Sequence, residues 1–181
     1  MDFKNLDDVL NKYAKYVVQQ AKSNLTKDKK GGGALYNSID YELEMEADIF
    51  LLDFLMEGYG LFVDEGVRGA KPSLVKGGYQ KAPMSKYRYT NKMPPMQMLA
   101  NWAQSKNIRF RNAKGQYAKG SNRAMGFALQ KSIFAQGIKP SYFFMKPFLN
   151  AYTELIRSTP DNLLTAFSMD IEDAIIMGDK Q

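Results

Sequence analysis

Asp40, Glu42, Glu44, Glu46 and Asp48 occupy alternate positions, and Ile39, Tyr41, Leu43 and Met45 fill most of the places between them, with Leu35 just upstream. Only an extended strand sends successive side chains to opposite faces, so this run predicts a β-strand with an apolar face inward and a carboxylate ladder outward. Same-face neighbours on a strand lie about 7 Å apart, so the ladder repels itself mildly and gains from a basic partner. Three readings of the ladder stand: a solvated face, a docking stripe, and a carboxylate pair for acid–base work. The third is poor, because nothing apolar is expected to alternate on that face and raise a pKa.

The flanking sequence supplies elements to pack against that strand. Leu6, Val9, Leu10, Tyr13, Val17, Ala21 and Leu25 recur at three- and four-residue spacing, predicting an amphipathic helix over 4–27. Charge and three glycines end it across residues 27–33. Ala47 and Asp48 suit a tight turn, and residues 49–56 read as a second, more buried strand of an antiparallel hairpin. Leu61, Phe62 and Val63 read as a short helix or a strand end. Pro94 and Pro95 open a helix whose apolar face holds Met98, Leu99, Trp102 and Ala103. From Ser121 another helix runs with Ala124, Phe127, Ala128, Leu129 and Ile133 as its core side, stopped by Gly137-Ile-Lys-Pro140. A helical stretch follows Pro147 and Phe148. Thr159-Pro-Asp161 then caps a last helix carrying Leu163, Leu164, Phe167, Ile171, Ala174 and Ile175 up to Gly178. The expected class is α+β: a long N-terminal helix, a small antiparallel sheet built on a hairpin, C-terminal helices packed on one face, and long basic loops.

Charge is divided along the chain. Residues 66–153 hold 16 Lys and Arg and not one Asp or Glu, while the rest of the chain holds nine basic and 19 acidic residues. A middle at +16 and flanks at −10 concern a partner more than a fold. Residues 66–95 are rich in Gly, Pro and Tyr and show no helical or strand period, so 67–93 is expected to be an extended basic excursion. Residues 106–123 form a second. Arg68, Lys71, Lys76, Lys81, Lys86, Arg88, Arg109, Arg111, Lys114, Lys119 and Arg123 are the candidate contact residues of these arms. Interleaved Tyr79, Tyr87, Tyr89, Phe110 and Tyr117 suit nucleic-acid binding through phosphate charge and base stacking. Docking onto an acidic protein surface, including the ladder of a neighbouring copy, is the competing reading, and solubilised loops the third. Met93, Met96 and Met98 read as core, with an adaptable contact surface as the alternative.

Other classes fall away on composition. With no His and no Cys, zinc fingers, His-dependent triads, thiol nucleophiles and disulfide frameworks are excluded. Gly115-Gln-Tyr-Ala-Lys-Gly-Ser121 has the outline of a phosphate loop but the wrong order of lysine and glycine, with no strand before it. No metal constellation, cofactor or catalytic set is expected. The strongest apolar run, residues 49–52, is cut by Asp53, far short of the roughly 20 residues a spanning helix needs, so no membrane partner is expected. A polar start without an apolar signal region reads as an intracellular product. At 181 residues and 45% hydrophobic content, one domain over 1–181 with its own core is expected.

An ordered set of short stretches carries a resemblance. Gly33-Ala-Leu-Tyr-Asn-Ser-Ile39 follows the long helix and leads into the strand; Tyr59-Gly-Leu-Phe-Val-Asp-Glu-Gly66 follows the hairpin; Pro147-Phe-Leu-Asn-Ala151 precedes the final helices. In that order and spacing, over about residues 4–177, the chain resembles the tail-completion, or neck, proteins of tailed double-stranded DNA bacteriophages. The basic stretches at 67–101 and 106–123 are longer than that family's compact pattern. The resemblance implies an α+β, non-enzymatic virion subunit, assembled in the host cytoplasm, that forms or completes a ring at the head–tail joint. Its implied partners are copies of itself, portal, connector or tail proteins, and packaged DNA contacted without sequence preference. A nucleic-acid-binding accessory protein is the alternative.

Overall fold

The computed structural model describes residues 3–28, 31–46, 49–75, 77–157 and 163–178. In chain order the elements are α1 (Lys4–Lys27), α2 (Ala34–Ser38), β1 (Asp40–Glu46), β2 (Ile49–Leu55), α3 (Gly60–Glu65), β3 (Val67–Arg68), a 3-10 turn (Pro72–Leu74), α4 (Met96–Ser105), α5 (Asn122–Gln136), β4 (Gly137–Ile138), α6 (Met145–Ile156) and α7 (Leu163–Gly178). The class is α+β. Contacts divide the chain into two compact units, one of residues 1–60 with 142–181 and one of residues 61–141.

The first unit is organised by α1. Tyr13, Val17, Ala21 and Leu25 recur every fourth residue and are buried, the stripe its period predicts. Helices α6 and α7 and the β1–β2 hairpin pack around this helix. Tyr13, Val17, Ala151 and Leu155 form the core cluster, with Leu52, Phe54, Phe144 and Phe148 against it. Phe54 meets Tyr13, Phe144 and Phe148 edge-on at 5.3 to 6.1 Å, the geometry the ring quadrupoles favour.

Two expectations are corrected in this unit. Residues 34–38 form a single helical turn rather than the start of the strand, and Leu35 and Ile39, four apart, are both buried by it. Strand β2 is open on one face rather than buried, since its residues alternate between exposed and half-buried along its length, as those of β1 do from Asp40 to Glu44. The expected turn at Ala47–Asp48 and the cap at Thr159–Asp161 lie outside the described residues.

The N-terminus of α1 has no capping side chain of its own, because Phe3 stands at the N-cap. Asp170 of α7 supplies what is missing. Its carboxylate accepts hydrogen bonds from the backbone N–H groups of Asn5 and Leu6, both at 2.9 Å, and from the Asn5 side chain at 2.8 Å. Asp170 is 2% exposed, so one buried carboxylate joins the first and last helices.

The Tyr13 hydroxyl is buried without a hydrogen-bond partner. Burial, helped by Tyr152, pushes its pKa up to about 12. An unfolded tyrosine releases its proton near 10. The folded state therefore holds the proton more tightly, and stability is intact below pH 10 and falls between pH 10 and 12. Tyr13→Phe keeps the ring contacts and removes the orphan hydroxyl, so we expect it to raise stability by roughly 1 kcal/mol and to flatten that alkaline fall. Urea melts of both proteins at pH 8 and pH 11 check both statements.

The second unit is built on the α4–α5 pair and a two-residue ribbon of β3 with β4. Gly126 lets the helices approach, since a β-carbon there would sit 2.7 Å from the Ala100 side chain. The helix expected from Ser121 begins at Asn122, and Ser121 caps it by accepting from the Ala124 N–H. The expected core side of α5 is corrected: Met125, Gly126, Phe134 and Ala135 are buried, and Ala124, Phe127 and Ala128 are exposed. Met93 and Met98 are exposed rather than core, Met98 at 69%.

Residues 67–93 are sparse in helix and strand, yet they bond inward rather than standing free. Gln80 closes two hydrogen bonds with the Gly69 backbone at 2.8 Å, Ser85 donates to the Gly66 carbonyl at 2.8 Å, and Lys81 N–H donates to Gln136. Arg68 pairs through its backbone with residues 87–89. The expectation of an extended excursion is corrected at these points, where the segment is bonded back onto its own unit.

Candidate functional site

The charge division follows the two units. Residues 61–141 hold 15 Lys and Arg against only Asp64 and Glu65, a net of +13; the other unit holds ten against 17, a net of −7. Residues 31–67 contain nine Asp and Glu and no Lys or Arg at all. The second unit is therefore almost wholly basic and the first is mixed with an acidic excess, and the regular row of that excess is the hairpin.

The hairpin register pairs Asp40 with Leu55, Glu42 with Asp53, Glu44 with Leu51 and Glu46 with Ile49. Paired residues of an antiparallel ribbon share a face. Asp40, Glu42, Glu44, Ile49, Leu51, Asp53 and Leu55 are all exposed, whereas the opposite face turns Tyr41, Leu43, Phe50, Leu52 and Phe54 toward the body. Tyr41 fixes that orientation by donating its hydroxyl hydrogen to the Asn11 side chain at 2.9 Å. The Glu46 side chain and all of Asp48 lie outside the described residues.

The outward face differs from the expected ladder in one respect. β2 sets exposed aliphatic side chains, Ile49 at 61% and Leu51 at 47%, beside the carboxylates. The expectation that nothing apolar alternates there is thus corrected, and the face becomes half acidic and half aliphatic. Glu42 directly opposite Asp53 is a like-charge pair, mildly destabilising in the isolated chain. Sequence reasoning missed Ile49, Leu51, Asp53 and Leu55 as site residues. Register was the signal, because placing Asp53 opposite Glu42 fixes every other pair.

The basic candidates do not gather at one place. Arg109 and Arg111 both stack on Tyr117, with guanidinium-to-ring distances of 5.8 and 4.8 Å, and Arg111 also donates to the Gly115 carbonyl at 3.1 Å. An isolated bridge between Arg111 and Tyr117 closes this turn, and Lys114 and Lys119 are exposed along it. Arg123 is exposed in the first turn of α5.

The remaining candidates lie around the ribbon. Arg68 and Arg88 are bridged through their backbones, and Arg68 Nε is buried without a hydrogen-bond partner. Lys71 is exposed, and Lys76 lies outside the described residues. Lys86 is engaged within its own unit: it pairs with Glu65 at 2.8 Å and lies 5.1 Å from the Tyr87 ring. The hydrogen bond to Glu65 raises its pKa, although an ion pair this exposed adds little to stability. Lys81 is half-buried and lines an open groove.

No group of three or more Asp or Glu among the described residues is arranged to hold a metal ion, and no described helix is long and apolar enough to cross a membrane. Among known proteins, no family model, no curated sequence and no solved structure matches this chain.

Proposed function

We propose that the chain is a non-enzymatic structural subunit of a tailed-phage virion, forming or completing a ring at the head–tail junction. The single observation that carries the assembly part is the hairpin's outward face, where carboxylates and uncovered aliphatics lie side by side on a two-stranded ribbon. Solvated faces keep their polar residues and bury their aliphatics; a face that exposes both matches a docking surface. The +13 unit offers the opposite charge, so one copy carries both halves of a contact between unlike faces. Such a contact repeats from copy to copy and closes into a ring when the rotation allows. The placement at a head–tail joint rests on the resemblance of the three ordered motifs. Portal, connector or tail proteins are the proposed neighbours above and below.

Negative-stain electron microscopy and native mass spectrometry of the purified chain, at rising concentration and low salt, test the reading. A closed oligomer of one size is expected. Monomer at every concentration overturns it.

A second reading rests on the turn at 107–119. Two arginines stacked on Tyr117 beside two free-standing lysines, with no acid nearby in sequence, suit phosphate contact, and a ring surrounding packaged DNA gives that contact a place. Anisotropy with random-sequence duplex separates the two. DNA binding by a monomer, with a log–log salt slope of several units, favours the accessory-protein reading.

A further inference from the structure

The hairpin face needs a receiving surface, and residues 61–141 carry one. An open groove of about 700 Å³ is lined by Leu99 and Trp102 of α4, Ile133 of α5, Ile138 of β4, and Lys81 and Lys139. Tyr79 also borders it. Trp102, the chain's single tryptophan, is 47% exposed there, and Tyr79 is exposed as well. No carboxylate lies anywhere in residues 66–153, so nothing acidic lines this groove. It is therefore apolar with positive charge, and the hairpin face is aliphatic with negative charge. Each carries what the other lacks.

We infer that the groove of one copy receives the outward hairpin face of a second copy, an inference that rests on the subunit reading above. Ile49 and Leu51 cover the Leu99, Trp102 and Ile138 side chains, and Glu42 and Glu44 turn toward Lys81 and Lys139. Packing removes the exposed tryptophan from water, and the lysines relieve the Glu42–Asp53 repulsion. The seven-residue ribbon is about 24 Å long at 3.4 Å per residue, which covers less than the roughly 800 Å² per partner of a standard interface. Each contact is accordingly weak and salt-sensitive, and many are needed to hold an assembly. A single strand of nucleic acid, stacking bases on Trp102 with phosphates on the lysines, is the rival occupant. Three aliphatic side chains in the lining, and a matching face on the same chain, favour protein.

Trp102 is the built-in reporter. Its emission is recorded on the full chain from about 1 to about 100 µM at low salt, beside sedimentation velocity on the same samples. The expected result is a blue shift that grows with concentration and with oligomer mass. Lys81→Glu with Lys139→Glu should remove both, weakening association about 100-fold, or tenfold per reversed charge. Mixing that variant with Glu42→Lys/Glu44→Lys should restore both signals, which neither variant gives alone. Circular dichroism confirms that the variants fold; if the reversals do not, Lys81→Ala with Lys139→Ala is put through the same titration.

The contrary outcomes separate the two claims. Oligomers that form without a Trp102 shift, and that survive both lysine reversals, overturn the groove contact and leave the subunit reading standing. Monomer throughout, with unchanged emission, overturns both. A shift produced only by added single-stranded DNA assigns the groove to nucleic acid and overturns the contact between copies.

Discussion

Replacing Glu42 and Glu44 by lysine is expected to weaken self-association about 100-fold and to leave the isolated chain folded and slightly more stable. The two effects have opposite signs for one reason. Glu42 stands opposite Asp53 across the ribbon, so reversing it converts a repelling cross-strand pair into an attracting one, by roughly 0.5 to 1 kcal/mol. Glu44 stands opposite Leu51 and loses nothing within the chain. Toward a second copy the same lysines bring like charge against a +13 surface, at a cost of about 1.4 kcal/mol for each tenfold loss of affinity. Thermal melts and sedimentation on the same samples give both numbers. A variant that lost stability together with association would show the carboxylates acting as structure rather than as a docking face.

Asp170→Ala is expected to cost about 3 kcal/mol, a large fraction of the 5 to 15 kcal/mol that holds a typical domain. Three donors lose their acceptor at once: the N–H groups of Asn5 and Leu6 and the Asn5 amide. Hydrogen bonds to a charged group contribute about 1.5 to 3 kcal/mol each, and not additively, and α1 has no side-chain cap to take over. Asp170→Asn keeps an acceptor and loses the charge that complements the helix dipole, so a cost of about 1 to 2 kcal/mol is expected. Urea denaturation of the three proteins checks the order: alanine worst, asparagine between, wild type best. Equal stability of all three would show that water caps α1 adequately without α7.

The long helix, the hairpin and the terminal helices were legible because their periods are sustained over many residues. α1 keeps a four-residue stripe through Tyr13, Val17, Ala21 and Leu25, and no strand can honour it. α2 was not legible because one helical turn has no period to read. Leu35 and Ile39 fit an alternating strand as well as an i, i+4 pair, and only their joint burial decides. On α5 the apolar residues go nearly all the way round, so the phase of its buried face depends on α4 and Gly126 rather than on its own sequence.

The candidate site divides in the same way. Asp40, Glu42 and Glu44 are legible as an outward row, since alternation sets them on one face and the apolar Tyr41 and Leu43 on the other. The uninterrupted Ile49-Phe-Leu-Leu52 run reads as buried on both faces, and one of those faces is open to water. A sequence records that a face is apolar without recording whether the chain itself covers it. The groove was invisible for a plainer reason: Lys81, the α4 pair Leu99 and Trp102, Ile133 and Lys139 come from separate segments, and no spacing links one segment to the next. Asp170 reads as a surface carboxylate in the middle of a helix, and only the fold brings it to residues 165 positions away.

The most direct test of assembly through opposed charge is sedimentation velocity of the wild-type chain, at fixed concentration, from about 50 to about 500 mM salt. The Debye length shrinks more than threefold over that range, so exposed charge pairs lose most of their attraction. A closed oligomer is expected at low salt, giving way to monomer as salt rises. A chain that is monomeric at every salt, or an oligomer indifferent to it, would contradict assembly through opposed charge.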